Sequence, residues 1–236
     1  MRTTLRTRLA CLVAIVAAVG ASAWAYGAEE AEKPAHPWED QVQAYEKQDA
    51  KSPPPQGAIL FVGSSSVRMW KTLADDFAPT PALNRGIGGS QIADQIYFVD
   101  RLVVRYKPAQ IVFYAGDNDV WARKKAETIL ADFKTFVEKV RKDLPRTPIH
   151  FLAIKPSPSR EKVWPEARKA NDLVRRYAQA EAGLSFIDVA TPMLGPDGKP
   201  RAELFLKDML HMNATGYAVW TPLVKAALAK PPGEGR

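Results

Sequence analysis

At 236 residues the chain has room for one full core and too little for two ordinary domains. Hydrophobic residues at 46% and charged residues at 25% exclude a disordered polymer. A formal charge of +7, spread over many Lys and Arg with no interleaved basic and aromatic platform, excludes a nucleic-acid binder.

The chain opens with Arg2, Arg6 and Arg8, then an uncharged apolar run from Leu9 to Ala23. Small-residue sites follow, such as Ala21-Ser22-Ala23 and Ala25-Tyr26-Gly27, which is the pattern of a cleaved export signal over residues 1–28. The run is shorter than the ~20 apolar residues of a membrane span. The mature protein is therefore expected in the periplasm or outside the cell, without stable membrane insertion. Cys11 does not read as a lipoprotein site, because Arg8 sits three before it and the apolar run lies after it. Losing the signal removes three Arg and the single cysteine, which leaves a formal +4 and excludes disulfides and thiolate metal sites. Residues 29–57 are rich in Pro, Glu and Lys and read as a surface leader with one helix around Trp38 to Gln48. The expected domain covers 58–230, with a C-terminal tail at 231–236.

Within that domain, apolar runs alternate with amphipathic stretches. Strands are expected at Ala58–Val62, Ala82–Ile87, Ala109–Ala115, Pro148–Ile154 and Leu184–Val189. Helices are expected at Val67–Phe77, Gln91–Arg105, Ala122–Leu144, Pro165–Ala182 and Ala214–Ala229, with Asn213 capping the last. Five short apolar strands separated by helices imply an α/β fold with a parallel sheet covered on both faces. Such sheets bind ligands beyond the carboxyl ends of their strands. The search therefore narrows to those ends: Gly63-Ser64-Ser65-Ser66, Gly86-Ile87-Gly88-Gly89-Ser90, Gly116-Asp117-Asn118-Asp119, and Asp208-Met209-Leu210-His211 before the last helix.

Acyl transfer needs a hydroxyl on a tight strand-to-helix turn, and Ser64, Ser65 and Ser66 all qualify. It needs a neutral imidazole. Of three histidines, His36 lies in the leader and His150 lies inside an apolar strand, where a packed, hydrogen-bonded role is expected. His211 lies in a loop with an acid three residues earlier that can hold its tautomer. It also needs donors for an oxyanion, and Gly89 offers an unobstructed N–H while Asn118 offers an amide. Each piece has an ordinary alternative: a helix cap, a surface turn, a tight glycine turn, or an oxygen cluster for a cation. Their order and their place at strand ends favour the chemical reading. An α/β-hydrolase elbow fails because Val67 stands where its last glycine belongs, and a P-loop fails because no Gly-Lys-Ser/Thr follows Gly63.

These blocks resemble the SGNH, or GDSL-like, hydrolases. Phe61-Val62-Gly63-Ser64-Ser65 is similar to the family's first block, which implies Ser65 as nucleophile. Ser64 stands where the family usually has Asp. Asn84-Arg85-Gly86-Ile87-Gly88-Gly89 resembles the second block, and Gly116-Asp117-Asn118-Asp119 the third; Asp208 and His211 resemble the last. The resemblance spans about Ala58 to Leu228 and is nearest to proteins similar to platelet-activating-factor acetylhydrolase subunits and bacterial lysophospholipase-like esterases. It implies a flavodoxin-like three-layer α/β/α sandwich and a triad of Ser65, His211 and Asp208. The oxyanion hole would be made by Ser65, Gly89 and Asn118, with no metal and no cofactor. The implied substrate is a small-molecule, glycan or lipid ester, with a short acyl group expected because no long insertion could form a lid. A lysophospholipase or thioesterase, an O-acyltransferase with the same triad, and an inactive periplasmic binding protein are the alternatives. Trp121 follows the Asn118 loop and is a candidate substrate contact, although core packing is the commoner role for such a Trp. Lys155 to Arg160 is expected either to rim the site or to be a solvated loop.

Overall fold

A computed structural model of the protein describes residues 35–229. The signal read over 1–28, the start of the leader and the tail at 231–236 lie outside the described residues. Five strands form one parallel sheet: β1 (Ile59–Gly63), β2 (Ala82–Gly86), β3 (Gln110–Tyr114), β4 (Ile149–Leu152) and β5 (Leu184–Ile187), in the order β2-β1-β3-β4-β5. Each lies within one of the five expected strands or within a residue of it. The agreement has a physical cause: parallel strands buried on both faces become short, continuous apolar runs.

Successive side chains point to opposite faces, so the sheet sorts its residues into two cores. On one face Leu60, Val62, Phe113 and Phe151 meet Phe133, Phe136 and Val140 of a long helix, α7 (Ala126–Asp143). That core also takes Ala167, Ala170 and Val174 of α8 (Trp164–Ala180). On the other face Ile59, Phe61, Val112 and Tyr114 meet Trp70, Phe77 and, from the last helix α9 (Ala214–Leu228), Tyr217, Trp220 and Val224. The result is helix, sheet, helix in three layers. The Asn213 side chain caps α9 as expected, accepting from the Gly216 N–H at 3.1 Å. No helix among the described residues is long and apolar enough to cross a membrane.

Two expected helices are broken. Val67–Phe77 becomes α2 (Ser65–Arg68) and α3 (Leu73–Phe77). The Asp76 carboxylate accepts from both the Trp70 indole (2.6 Å) and the Thr72 hydroxyl (2.8 Å), which favours a turn between them. Gln91–Arg105 becomes α4 (Ile92–Tyr97), α5 (Val99–Leu102) and a turn of 3₁₀ helix.

The leader reading understates residues 36–51. Its helix, α1 (Glu39–Lys51), is packed against the domain, with Val42 fully buried. Asp49 pairs with buried Arg85 of β2, and the Tyr106 hydroxyl donates to the same carboxylate at 2.5 Å. These attachments are mostly polar, so they leave little apolar periodicity in the sequence.

The sheet order puts β1 between β2 and β3. The chain moves to one side after β1 and to the other after β2, which is a topological switch point. The register levels the carboxyl ends: Gly63 is opposite both Gly86 and Tyr114. The loops after β1, β2 and β3 therefore leave the sheet along one edge.

Candidate active site

Gly63 ends β1 at φ 143°, and a Cβ there would run into the Tyr114 carbonyl oxygen. This glycine lets the chain turn directly off the sheet, and the Ser64 N–H then donates to that same carbonyl at 2.8 Å. The turn delivers Ser65 as the first residue of α2, where a backbone N–H is not used by the helix ladder. Of the three serines, Ser64 and Ser66 are buried and only Ser65 is partly exposed.

His211 reaches Ser65 from the far end of the chain, with Nε2 3.1 Å from the Ser65 Oγ. Its loop is pinned by the Asn213 amide, which donates to the Glu203 and Phe205 carbonyls at 2.8 and 3.1 Å. Asp208 lies 2.6 Å from His211 Nδ1 through one carboxylate oxygen. Its other oxygen accepts from the backbone N–H groups of Leu210 and His211 at 3.0 and 2.9 Å. Partial burial pushes the Asp208 carboxyl up. The His211 ring and the two N–H donors outweigh it and bring the pKa down to about 2. A carboxylate ionised at neutral pH fixes the proton on Nδ1, so Nε2 is left as the acceptor facing Ser65.

The two candidate oxyanion donors flank this group. Gly89, at φ 82°, has an N–H without a hydrogen-bond partner among the described residues. It is held from behind by α1. A Cβ on Gly89 would stand 3.0 Å from the Trp38 ring, the Gly88 N–H donates to Gln41 Oε1 at 2.9 Å, and the Tyr45 hydroxyl donates to the Gly86 carbonyl at 2.6 Å. Asn118 is the second residue of α6 (Asp117–Trp121), and its Nδ2 donates to the Ser90 carbonyl at 2.8 Å, tying the second and third loops together.

The loop from Lys155 to Arg160 is neither solvated nor a simple rim. Lys155 is buried and donates to Asp117 Oδ2 at 3.0 Å. Arg160 donates to Asn118 Oδ1 at 2.9 Å and lies 3.3 Å from the other Asp117 oxygen. Burial pushes the Asp117 carboxyl up, but the two cations pull it below the usual range. Asp119 is likewise buried and accepts from Lys124 at 2.9 Å. Both acids of the third block are thus paired with protein cations, Asp117 with Lys155 and Arg160 and Asp119 with Lys124. Trp121 is not core: its ring is 52% exposed beside the site, with the Arg160 guanidinium 5.5 Å from its centroid. Sequence reasoning missed the roles of Trp38 and Gln41, and it placed Arg160 at the rim of the site without its contact to Asn118. For Arg160 a signal existed, since it follows the carboxyl end of β4.

The fold is a three-layer α/β/α sandwich whose candidate residues gather at the switch point of a parallel sheet. The chain belongs to the GDSL-like lipase/acylhydrolase family, which matches residues 56–219, and is a carboxylic ester hydrolase by that membership. Solved structures carry the same fold. A protein from Streptococcus pneumonia named for platelet activating factor is 21% identical, with TM-score 0.72 over 81% of this chain and 92% of that one. A GDSL-like lipase from Bacteroides thetaiotaomicron is 21% identical, with TM-score 0.67 over 79% and 96%. A member of the lipolytic G-D-S-L family from Veillonella parvula is 16% identical, with TM-score 0.62 over 74% and 99%. No curated protein matches the chain.

Proposed function

We propose that the protein is an exported serine esterase that cleaves short-acyl esters through an acyl-enzyme on Ser65. The observation that carries this reading is the continuous bonding from Ser65 Oγ through both nitrogens of His211 to Asp208. His211 Nε2 takes the Ser65 proton as Oγ attacks the ester carbonyl, and Asp208 stabilises the imidazolium. The N–H groups of Ser65 and Gly89 and the Asn118 amide receive the oxyanion. The imidazolium then protonates the departing alcohol. Water, deprotonated by the same ring, releases the acid and restores Ser65. No metal or cofactor is required.

Export is supported by the basic start and apolar run of residues 1–28. A short acyl group is supported by the lack of a long insertion between the motif blocks that could form a lid over a lipid tail, and by close packing around the turn that carries Ser65, where Ser64, Ser66 and Tyr114 are fully or almost fully buried. Exposed Trp121 is the proposed contact for the substrate's outer part.

A fluorophosphonate probe should label Ser65, as located by peptide mass spectrometry, and p-nitrophenyl esters should be cleaved fastest at acetate or butyrate. Labelling that survives Ser65→Ala but disappears in Ser64→Ala or Ser66→Ala would overturn the nucleophile. A kcat/KM that climbs steadily beyond hexanoate, as burial at up to ~0.8 kcal/mol per CH₂ would produce, overturns the short-acyl assignment.

A further inference from the structure

We infer that Arg160 is a positioning residue for ester hydrolysis, one that locks the Asn118 amide into its oxyanion-binding orientation and strengthens it as a donor. This rests on the esterase reading above.

An asparagine amide can stand two ways, and bonding decides between them. Arg160 has only donors, and the Ser90 carbonyl is only an acceptor. Both can be satisfied in one arrangement alone: Oδ1 toward Arg160 at 2.9 Å and Nδ2 toward Ser90 at 2.8 Å. One Nδ2 proton is then bound to Ser90, and the second is left for a negatively charged oxygen. Without Arg160, Oδ1 would lose its partner, and the bond to the Ser90 carbonyl would be left to hold the amide alone.

Arg160 is itself held on several sides. Asp117 lies 3.3 Å from one guanidinium nitrogen, the Trp121 ring centroid lies 5.5 Å away, and the side chain is only 13% exposed. The preceding residue is tied to the nucleophile's base: the Ser159 N–H donates to the carbonyl of Met209, within the Asp208–His211 loop, at 3.0 Å. Charge points the same way. Lys155 takes the other Asp117 oxygen at 3.0 Å, so two cations share one carboxylate and an excess positive charge sits against Asn118. A cation on Oδ1 draws electron density from the amide, so the free N–H becomes a stronger donor. That strengthening acts on a charge that exists only in the transition state and therefore shows in kcat. Contacts to Asn118 and Asp117 at once suit a planar fork better than a point charge.

The test is a double-mutant cycle on the full chain with p-nitrophenyl acetate, with melting temperatures confirming that each variant is folded. R160Q should lower kcat by about 10- to 100-fold with KM nearly unchanged, a part of what losing one oxyanion donor costs. R160K should fall between R160Q and wild type. In an Asn118→Ala background R160Q should cost no more than about twofold further, because its route of action is already gone. Full additivity of the two losses, or wild-type turnover in R160K, overturns the assignment. A second readout does not depend on turnover: Asn118 side-chain amide hydrogens in ¹⁵N-labelled protein should exchange faster with solvent in R160Q, and an unchanged rate rejects the inference. If wild type shows no Ser65-dependent hydrolysis, the esterase reading fails, while the exchange measurement still decides whether Arg160 orders Asn118.

Discussion

His150 and His211 are each bonded on both ring nitrogens, but to partners of different charge. His150 lies inside β4, nearly fully buried, with Nδ1 2.6 Å from the Ser185 hydroxyl and Nε2 2.9 Å from Gln110 Oε1. Both partners are neutral. Burial alone pushes its pKa down from 6.5 to about 4, so it stays uncharged at neutral pH. His211 lies in a loop within reach of solvent, with an ionised carboxylate on one nitrogen and a serine hydroxyl on the other. An acid partner can stabilise an imidazolium; Gln110 and Ser185 offer far less. The same side chain thus becomes a structural strut or a candidate base according to what faces its second nitrogen.

The sharpest way to break this contrast is to swap each ring for an amide. His211→Asn should lower kcat by about 10⁴-fold or more with little change in melting temperature. His150→Gln should leave kcat per folded molecule within a few-fold and lower stability by about 1–3 kcal/mol, measured by urea unfolding at pH 7. Equal kinetic losses in the two variants would end the assignment of His211 as base. Asp208→Asn should also lower kcat, by up to about 10⁴-fold and by no more than His211→Asn, since the amide can still accept from the backbone N–H groups but cannot offset an imidazolium charge.

Acid titration sharpens the comparison further. Above pH 6.5 His150 is neutral whether folded or unfolded. As pH drops, the unfolded ring takes a proton while the folded ring refuses one until about pH 4. Stability should therefore fall between pH 6.5 and 4 by on the order of 3 kcal/mol from this residue, then level off. The Asp208 contribution is lost later, as pH falls from 3.8 toward 2. His150→Gln should flatten the first decline and leave the second. An unaltered slope between pH 6.5 and 4 would show that His150 does not carry it. The smallest expected effect is at the edge of the site. Gln41→Ala frees the Gly88 N–H and should lower kcat by no more than about tenfold, with KM steady, measured with the same ester.

The sheet and most long helices were legible because burial leaves a mark on composition, as in Phe61 of β1 or Phe133 and Phe136 of α7. His211 was legible through scarcity, being one of three histidines and the one in a loop beside an acid. What stayed hidden is held by polar bonds with no period. Gln41 and Tyr45 grip backbone groups of the β2 loop, and Arg160 grips an amide; none of these contacts changes the apolar pattern. Trp121 was ambiguous in sequence, as core or as substrate contact, and its exposure excludes the core role. Its type suggests core, while the short α6 ends on the surface and turns the ring outward.

The Asp49–Arg85 pair sets a rule for cutting the gene. A shortened protein beginning at residue 56, where the family match starts, would keep every residue of the proposed triad and oxyanion hole. It would also remove the Asp49 carboxylate that pairs with Arg85 and the Tyr45 ring that lies 4.8 Å from its guanidinium carbon. Gly88 and Gly86 would lose their partners in the same cut. Recombinant versions shortened at the N-terminus should therefore start ahead of His36, and libraries aimed at altering the proposed site should treat α1 as part of the enzyme.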